Sequence, residues 1–435
     1  MASEFLKAVR KLDNLENAWR VIHRNGRTSK SDIVKLELER FAEDASHNLR
    51  SLMSRLVRGS FKFEKAKGVP IPKLDTKGKP TGKFRPIVLA PVETRIVQRA
   101  ILNVLVDVEE LTPFVQTKYS FGGIRSSRKR NEQQRAEEIS AVPAAIKSVL
   151  AEIELGARFV ASADIRAFFT KISKEYVIDI ISRAIPDEEF IAFLRKAVNV
   201  ELDNLAQLRD KASDFPIEDI GVAQGSSLSP LLGNIALANF DKVMNEGDCR
   251  CIRYVDDFII MAPTLKAANA RLRSAEKLLG QLNMELSPEK SSKGGISVAE
   301  GFDFLGITVC PGLIRPSAKS QSRFVDSVIR EFTQTERAMI GFRNGQPIDK
   351  DRSLIATLKR IDGMIDGWGK HYWFCNDGHV LRNLDSQIAG RIGEFLGKYR
   401  ALRSEIGNDK HARLLGISEL SLIKREPFAY PSLKD

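Results

Sequence analysis

Apolar side chains recur every three or four residues through residues 1–57, on a strongly charged background. One such set is Leu38, Phe41, Ala45, Leu49, Leu52 and Leu56. This is the spacing of one face of an α-helix, so the pattern predicts a helical segment at the start of the chain. The next segment, VPIPKLDTKGKPTG at residues 69–82, is rich in Pro, Gly and Lys and predicts a hairpin or a loop. A further helix is predicted to begin near Pro91.

The central part of the chain alternates short apolar strands with helical patterns. Strands are predicted at residues 158–163, at 249–262, where two strands meet at Asp256 and Asp257, and at 302–309. Helices are predicted at residues 174–199, 228–245 and 265–282. This succession predicts an α+β fold in which a mixed sheet has helices on one face, the split ferredoxin-like arrangement. Helical patterns resume at residues 318–342, 352–371 and 378–403.

The 435-residue chain has 68 Lys and Arg against 56 Asp and Glu, which gives a formal net charge of +12. A basic balance favours a polyanionic partner over an acidic small substrate. No stretch approaches the roughly 20 apolar residues that span a bilayer, and the first residues lack the apolar run of a signal peptide. We therefore expect a cytoplasmic protein with no membrane partner. Nothing in the sequence indicates an oligomeric state.

Cysteine and histidine offer little material for metal or nucleophilic chemistry. The four cysteines, Cys249, Cys251, Cys310 and Cys375, form no CxxC pair and are expected to be reduced. The five histidines form no HExxH motif or close cluster. Structural zinc, a disulfide framework and histidine-based catalysis are therefore not indicated. Any metal must be held by carboxylates.

Three aspartates lie within or at the end of predicted apolar strands, at two places in the chain. Asp256 and Asp257 lie in RYVDDFIIM (253–261), and Asp164 lies in FVASADIRAFF (159–169). An isolated Asp-Asp pair is more often a solvated turn. If neighbouring strands bring Asp164 and Asp256 together, however, their charges repel unless a cation binds between them. Mg²⁺ prefers carboxylate oxygens, and two such ions about 4 Å apart can activate a hydroxyl and stabilise a leaving pyrophosphate.

A glycine-containing segment, AQGSSLSPLLGNIALANF at residues 223–240, lies between these strands. Taken alone, it is most simply a capped helix with an apolar face. The Gln-Gly pair before the helix adds a second interpretation. Gly225 allows the backbone to approach a ligand closely, and Gln224 can contact a nucleotide from the start of the helix.

Together these segments resemble the motifs of reverse transcriptases of the bacterial, group II intron-like branch. The palm-type motifs are DIRAFF at Asp164, AQGSSLSPLLGNI, YVDD, LSPEKS (286–291) and FDFLG (302–306). The fingers-type motifs are IPK (71–73), FRPIVLAP (84–91), ETRIVQRAI (93–101) and YSFGGIRSS (119–127). IDGMIDGWGKHYW (361–373) is similar to the thumb or maturase helices of that branch.

The resemblance implies a right-hand polymerase and assigns its parts. They are an N-terminal helical extension (1–57), fingers with part of the palm (58–157), a palm with a mixed or antiparallel sheet (158–314), a helical thumb or maturase-like domain (315–403) and a tail (404–435). The implied metal ligands are Asp164, Asp256 and the backbone carbonyl of Ile165, with Asp257 as a supporting acid. The implied cofactor is a pair of Mg²⁺ ions, with Mn²⁺ as an alternative.

The same resemblance assigns the substrate contacts. Lys73 and Arg85 would hold the triphosphate, which fits the affinity of Arg and Lys for phosphate. Phe169 would be the steric gate that selects deoxynucleotides, although a core position is the more common role of such a ring. Lys290 would protonate pyrophosphate, although from the sequence alone it is an exposed Lys before a turn. Gln224 and Gly225 complete the predicted dNTP site.

The helical region after residue 315 is basic in its own right. Residues 315–343 contain six Arg or Lys and three acids, and Lys319, Arg323 and Arg330 are the predicted nucleic-acid contacts. A solvated helical surface is the ordinary explanation of such charges. A polymerase palm needs a duplex clamp, which favours the binding role.

Some family signatures are missing. The NAxxH and VTG signatures of retron enzymes are absent, and no Cys-rich or HNH-like endonuclease pattern follows residue 403. We therefore expect a stand-alone bacterial enzyme, in the manner of defence-associated reverse transcriptases, whose class typically works with a dedicated non-coding RNA.

The predicted function is RNA-directed DNA synthesis, with an RNA template, a DNA primer or product and dNTPs as partners. Two alternatives stay open. The same palm could add nucleotides without a template or from a protein primer, or the chain could be a non-catalytic RNA-binding maturase. The clustered acids count against the maturase, because they repel RNA phosphates.

Overall fold

The computed structural model describes residues 3–29, 31–74, 79–115, 117–122, 140–420 and 423–429. The chain divides into two compact units, Met1–Val298 and Ala299–Asp435. The basic segment that follows the YSFG motif, residues 123–139, lies outside the described residues. The five domain boundaries predicted from the sequence stay predictions.

The first unit begins with four helices, in agreement with the predicted helical start. They are α1 (Glu4–Val9), α2 (Leu12–Gly26), α3 (Asp32–Glu43) and α4 (Ala45–Val57). The side chains of Ser3, Ser31 and Asp44 accept hydrogen bonds from backbone amides at the starts of α1, α3 and α4, which fixes where these helices begin. Their apolar faces join one large core with the rest of the unit.

A long antiparallel hairpin follows, as the sequence predicts for this Pro- and Gly-rich segment. It consists of β1 (Lys67–Leu74) and β2 (Pro80–Leu89). Ile71 lies opposite Arg85 in the register of the two strands. The predicted helix after Pro91 is α5 (Val92–Leu105), and Pro91 is its N-cap.

The centre of the first unit is a five-stranded mixed sheet in the order β3-β5-β6-β4-β7. The strands are β3 (Ser120–Phe121), β4 (Phe159–Asp164), β5 (Arg250–Tyr254), β6 (Asp257–Ala262) and β7 (Ile296–Ser297). β3 runs parallel to β5, and the other neighbours are antiparallel. The last five residues of β6 are buried, which is typical of a central strand covered on both faces.

The first unit also contains further α-helices, some of which contact this sheet. They are α6 (Thr112–Val115), α7 (Ala141–Glu154), α8 (Lys174–Ala184), α9 (Glu188–Val198), α10 (Leu205–Leu208), α11 (Ser229–Ala236), α12 (Ala238–Met244) and α13 (Leu265–Gln281). The helix predicted over residues 228–245 is two helices, α11 and α12, which separate at Leu237. The mixed sheet and these helices confirm the predicted α+β fold class.

The single strand predicted at residues 302–309 is wrong. The segment forms two strands, β8 (Phe302–Phe304) and β9 (Ile307–Cys310), which pair with β10 (Leu313–Pro316) in a separate three-stranded sheet of the second unit. The reason lies in the FLG sequence. Leu305 and Gly306 both have positive φ, 53° and 79°, which is the backbone of a two-residue hairpin turn.

Three long helices make up most of the rest of the second unit. They are α14 (Ala318–Arg343), α15 (Leu354–His371) and α16 (Gly378–Ser404), and a short helix, α17 (His411–Leu415), follows. Their core includes Phe332 and Phe395, and a buried hydrogen bond of 2.8 Å joins the hydroxyls of Thr335 and Thr357. Of the aromatic residues near the end of α15, Trp368 stacks on Phe324, whereas Trp373 is 65% exposed.

Two further expectations concern the whole chain. All four cysteines are free thiols, as predicted. Among the described residues, no helix is long and apolar enough to cross a membrane.

Candidate active site

Three aspartates meet where β4 and β5 end and β6 begins. Asp164 is the last residue of β4 and pairs across the sheet with Asp257, the first residue of β6. Asp256 lies in the two-residue turn between β5 and β6, and its carbonyl oxygen accepts a hydrogen bond of 2.9 Å from the Ile165 amide. The structure thus brings together the three predicted acids, although Asp164 and Asp256 are far apart in the sequence.

Burial and repulsion between carboxylates disfavour the ionised forms of Asp256 and Asp257. Burial raises the pKa of Asp256, and the Asp164 carboxylate adds to the shift. Burial also raises the pKa of Asp257 to about 7, helped by the charges of Asp164 and Asp256. Each shift means that the ionised site is unfavourable without a positive charge beside it.

Lys290 supplies one such charge. Its Nζ atom lies 2.6 Å from Oδ2 of Asp164, although its side chain is 62% exposed. The loop that carries it is tied to the end of β4, because the Ser287 amide donates to the Asp164 carbonyl oxygen at 2.7 Å. The Asp164 amide in turn donates to the Ser291 hydroxyl oxygen at 3.3 Å. The predicted proton donor is therefore held at the acidic cluster.

The oxygen donors at this site suit a hard cation. Within the described residues, no group of three or more His, Cys, Asp or Glu side chains is arranged to hold a metal ion. The predicted ligand set needs only two carboxylates, since its third donor is the Ile165 carbonyl oxygen. Among the described residues, none donates a hydrogen bond to that oxygen. Carboxylate and carbonyl oxygens are the donors that Mg²⁺ and Mn²⁺ prefer, so the residues fit the predicted ion.

The β1–β2 hairpin places the two predicted triphosphate residues near this cluster. Lys73 and Arg85 are exposed and lie on facing strands. Partial burial lowers the pKa of Lys73, and the nearby charges of Lys290 and Arg85 lower it further. Arg85 also stabilises the ionised form of Asp256. Lys73, Arg85 and Lys290 therefore form a group of cations beside the acids.

An ion pair joins the hairpin to the loop of Lys290. The Lys83 ammonium on β2 contacts the Glu289 carboxylate, one residue before Lys290. Both side chains are exposed, so the pair adds little stability in water. It shows that the hairpin and the loop approach each other at the site.

Phe169 follows Asp164 in a short 3₁₀ turn, Phe168–Lys171. Phe168 is 2% exposed and belongs to the core, whereas Phe169 is partly buried and packs against that core. The two ring centroids are 5.1 Å apart. The Phe169 carbonyl oxygen accepts a hydrogen bond of 2.8 Å from the Val222 amide, so the turn lies against the segment that leads to Gln224. The structure is compatible with both roles considered for Phe169.

Gln224 and Gly225 lie beside β2. The Val88 amide donates to the Gln224 carbonyl oxygen at 3.0 Å. Gly225 has a φ of 115°, and a Cβ atom there would lie 3.1 Å from the Val88 carbonyl oxygen. Close packing on β2 is therefore enough to explain this glycine. Nucleotide contact by Gln224 and Gly225 stays a prediction.

The three predicted nucleic-acid contacts lie in the second unit. Lys319, Arg323 and Arg330 are exposed residues of α14, and their spacing of four and seven residues places them on one face. None of the three forms an ion pair with another described residue. Their charges are therefore available to a polyanion.

A buried arginine beside the Val255–Asp256 turn was not predicted from the sequence. Arg253 on β5 has 0% exposure, and its guanidinium forms an ion pair with Asp241. A further nitrogen donates to the Val255 carbonyl oxygen at 2.7 Å. The sequence did contain a signal, because an Arg between Ile252 and Tyr254 interrupts an apolar strand.

The reverse transcriptase (RNA-dependent DNA polymerase) family matches residues 71–309, more than half of the chain. The chain belongs to this family. The matched range includes the acids, the part of the hairpin with Lys73 and Arg85, and the Lys290 loop, so it contains every predicted site residue of the first unit. The match confirms the predicted family. The predicted α+β polymerase fold class is confirmed as well. The individual roles of the site residues stay predictions.

Two curated proteins are similar to this reverse transcriptase in sequence. Protein YkfC of Escherichia coli K12 is 26% identical over 297 residues, which cover 59% of this chain and 70% of YkfC. An uncharacterized 91 kDa protein in the cob intron of Schizosaccharomyces pombe is 27% identical over 164 residues, which cover 38% of this chain and 17% of that protein.

Two solved structures also match the chain. A partial Cas6-RT-Cas1–Cas2 complex is 18% identical with a TM-score of 0.34 and covers 65% of this chain and 43% of that chain. Apo telomerase from Candida tropicalis is 13% identical with a TM-score of 0.38, covering 59% and 55%. This reverse transcriptase therefore spans about half or less of these two structural relatives.

Proposed function

We propose that this chain is an RNA-directed DNA polymerase that extends a primer on an RNA template with dNTPs. The observation that supports the proposal most is the meeting of Asp164, Asp256 and Asp257 beside the cations of the hairpin and the Lys290 loop. Acids that repel one another next to exposed cations are suited to a metal–triphosphate substrate. The family match over the same residues supports the same reaction.

The proposed chemistry is nucleotidyl transfer. Asp164, Asp256 and the Ile165 carbonyl would hold two Mg²⁺ ions, which when bound supply charge stabilisation and an activated primer hydroxyl. Arg85 and Lys73 would bind the triphosphate through charge-assisted hydrogen bonds. Lys290 forms an ion pair with Asp164 and would donate a proton to the leaving pyrophosphate. Asp257 would add negative charge that attracts the cations.

The partners are part of the same proposal. The RNA template and the nucleic-acid product would contact the basic face of α14, which the net charge of +12 supports. That the template is a dedicated non-coding RNA, and that the role is antiviral defence, rests on the sequence resemblance alone.

Primer extension tests this proposal. Purified protein is given an RNA template with an annealed primer, dNTPs and either Mg²⁺, Mn²⁺ or EDTA. We expect extension with a divalent ion and none with EDTA. Asp164→Asn and Asp256→Asn should abolish extension without lowering the melting temperature, because each removes a ligand and relieves repulsion.

The matched control is Asp179→Asn. Asp179 is an exposed aspartate of α8 that pairs with Arg183, and its loss should leave extension unchanged. Metal-dependent synthesis that persists in both active-site variants would overturn the assignment. Product sequences that do not follow the template would instead indicate template-independent or protein-primed addition.

A further inference from the structure

The turn of Val255 and Asp256 contacts a largely buried network centred on Arg253. Nε of Arg253 donates to Oδ1 of Asp241 at 2.7 Å, and Nη2 donates to Oδ2 of the same carboxylate. Nη2 also lies 3.3 Å from Oδ1 of Asn234, whose amide donates to the Phe114 carbonyl oxygen at 3.1 Å. Nη1 is directed elsewhere, to the Val255 carbonyl oxygen at 2.7 Å.

This network is costly if its only role is stability. The guanidinium of Arg253 loses its hydration completely, whereas the Asp241 side chain keeps 17% exposure. Well-packed apolar residues of similar volume are often as stabilising as a buried ion pair, or more so. Arg253 is one of the largest fully buried side chains of the protein. We therefore expect Arg253 to have a role in addition to core packing.

The turn that Arg253 contacts is unfavourable by itself. Val255 has a φ of 60°, a left-handed conformation that a β-branched residue rarely adopts. Such backbone persists only where surrounding contacts hold it, and it is found mainly at functional sites. Three hydrogen bonds hold the turn. Arg253 donates to the Val255 carbonyl oxygen, the Val255 amide donates to the Phe121 carbonyl oxygen at 3.2 Å, and the Ile165 amide donates to the Asp256 carbonyl oxygen at 2.9 Å. Of these, only the contact from Arg253 comes from a side chain.

We propose that Arg253 is a positioning residue that fixes the strained Val255–Asp256 turn and so directs the Asp256 carboxylate toward Asp164. The bidentate pair with Asp241 sets the plane of the guanidinium, which leaves Nη1 aimed at Val255. Asn234 on α11 accepts a further hydrogen bond from Nη2 of Arg253 and so helps to hold the guanidinium in place. This inference deepens the proposed function, because it assumes that Asp256 is a metal ligand of that site.

Lysine cannot replace Arg253 in this role. A Lys ammonium keeps the charge beside Asp241 but is a single nitrogen without the planar fork. Arg253→Lys should therefore loosen the turn. The double variant Arg253→Met/Asp241→Leu removes both charges of the pair at similar volume, so it can fold even if the lysine variant does not.

Amide hydrogen exchange measures the turn directly. In both Arg253 variants, exchange of the Ile165 amide should accelerate about five- to tenfold, as expected when one buried hydrogen bond is weakened. The adjacent Arg166 amide, which donates to the Glu285 carbonyl oxygen at 2.9 Å, should keep its protection. Mn²⁺ binding measured by electron paramagnetic resonance should weaken by a similar factor.

Arg271→Lys is the matched control. Arg271 also donates to two backbone carbonyls, those of Val243 at 2.7 Å and Glu246 at 2.6 Å, but these lie at the end of α12 and not at the Val255–Asp256 turn. This variant should leave Ile165 exchange and Mn²⁺ binding unchanged.

Three results would overturn the inference. The first is an exchange rate of the Ile165 amide equal to that of the wild type in a folded Arg253 variant. The second is unchanged Mn²⁺ binding. The third is a general loss of protection across the sheet in both variants, because this would show that the ion pair only stabilises the core. A wild-type protein that fails to extend primers would count against the proposed function. The exchange result would still report whether Arg253 fixes the turn.

Discussion

Asp257 combines partial burial with two neighbouring carboxylates, and these raise its pKa to about 7. In the unfolded chain an aspartate has a pKa of about 3.9. The folded state therefore binds this proton more tightly than the unfolded state. The stability that the protonated group contributes is present below about pH 4 and is lost as the pH rises toward about 7.

This difference predicts the pH dependence of stability in the metal-free protein. Melting temperatures measured in EDTA should fall more steeply from pH 4 to 7 in the wild type than in Asp257→Asn, which has no charge to form. Asp179→Asn should follow the wild type. Adding Mg²⁺ should flatten the wild-type profile, because a bound cation favours the ionised acids. Parallel profiles for wild type and Asp257→Asn would contradict the assigned pKa.

For Phe169 the sequence leaves two alternatives, a steric gate or a core position, and a sugar-discrimination experiment separates them. If its ring lies under the sugar of the incoming nucleotide, Phe169→Ala should admit ribonucleotides and change dNTP use less. Incorporation of rNTPs and dNTPs by soluble variant protein gives the answer.

Phe168 provides the comparison for Phe169. Phe168 is 2% exposed, and its replacement by Ala should cost about 3–5 kcal/mol of unfolding free energy without a specific gain in ribonucleotide use. Sugar discrimination that is unchanged in Phe169→Ala would return Phe169 to the core.

At the scale of elements, the β1–β2 hairpin brings two cations, Lys73 and Arg85, to the acids. Arg85→Ala should raise the KM for dNTPs about ten- to a hundredfold, the value of a charge-assisted hydrogen bond, with a smaller effect on kcat. Lys73→Ala should act in the same direction. Steady-state kinetics with a saturating primer–template measures both constants.

Lys67→Ala is the control within the same hairpin. Lys67 is exposed at the start of β1, far along the strand from Lys73. Its removal should leave the KM for dNTPs unchanged. If Lys67→Ala and Arg85→Ala raise KM equally, the hairpin acts through its overall charge and not through specific contacts.

The whole molecule carries an excess of positive charge, and the triple variant Lys319→Ala/Arg323→Ala/Arg330→Ala tests where this charge binds nucleic acid. RNA affinity of the wild type should fall steeply with salt. Each phosphate contact that is removed should flatten the log-log slope by about 0.7 to 0.9. The variant should also give shorter products, while addition of a single nucleotide persists.

A second triple variant controls for net charge. Arg20, Arg183 and Arg391 are exposed, but each already lies beside a glutamate or aspartate of its own helix. Replacing all three with Ala changes the net charge by the same amount. Equal salt slopes for the two triple variants would show that α14 has no special role and that the nucleic acid contacts another surface.

Local sequence patterns determined most of the elements and the motif residues. The helical start, the hairpin, the strands that end at Asp164 and flank Asp256, and the long helices after Pro316 all follow from apolar spacing and turn residues. These signals lie within a few residues of one another, and the motifs that resemble reverse transcriptases consist of such short segments. The order of these motifs along the chain was enough to predict the family.

Tertiary structure alone decided how distant segments meet. It set the register that pairs Asp164 with Asp257, placed Lys290 on Asp164 from 126 residues away, and put the FDFLG strands in a separate sheet. It also brought together the partners of Arg253, which lie on two helices and in the turn after β5. Periodicity shows which face of an element is buried. Which neighbour covers that face depends on the packing of the whole core, and no local pattern contains that information.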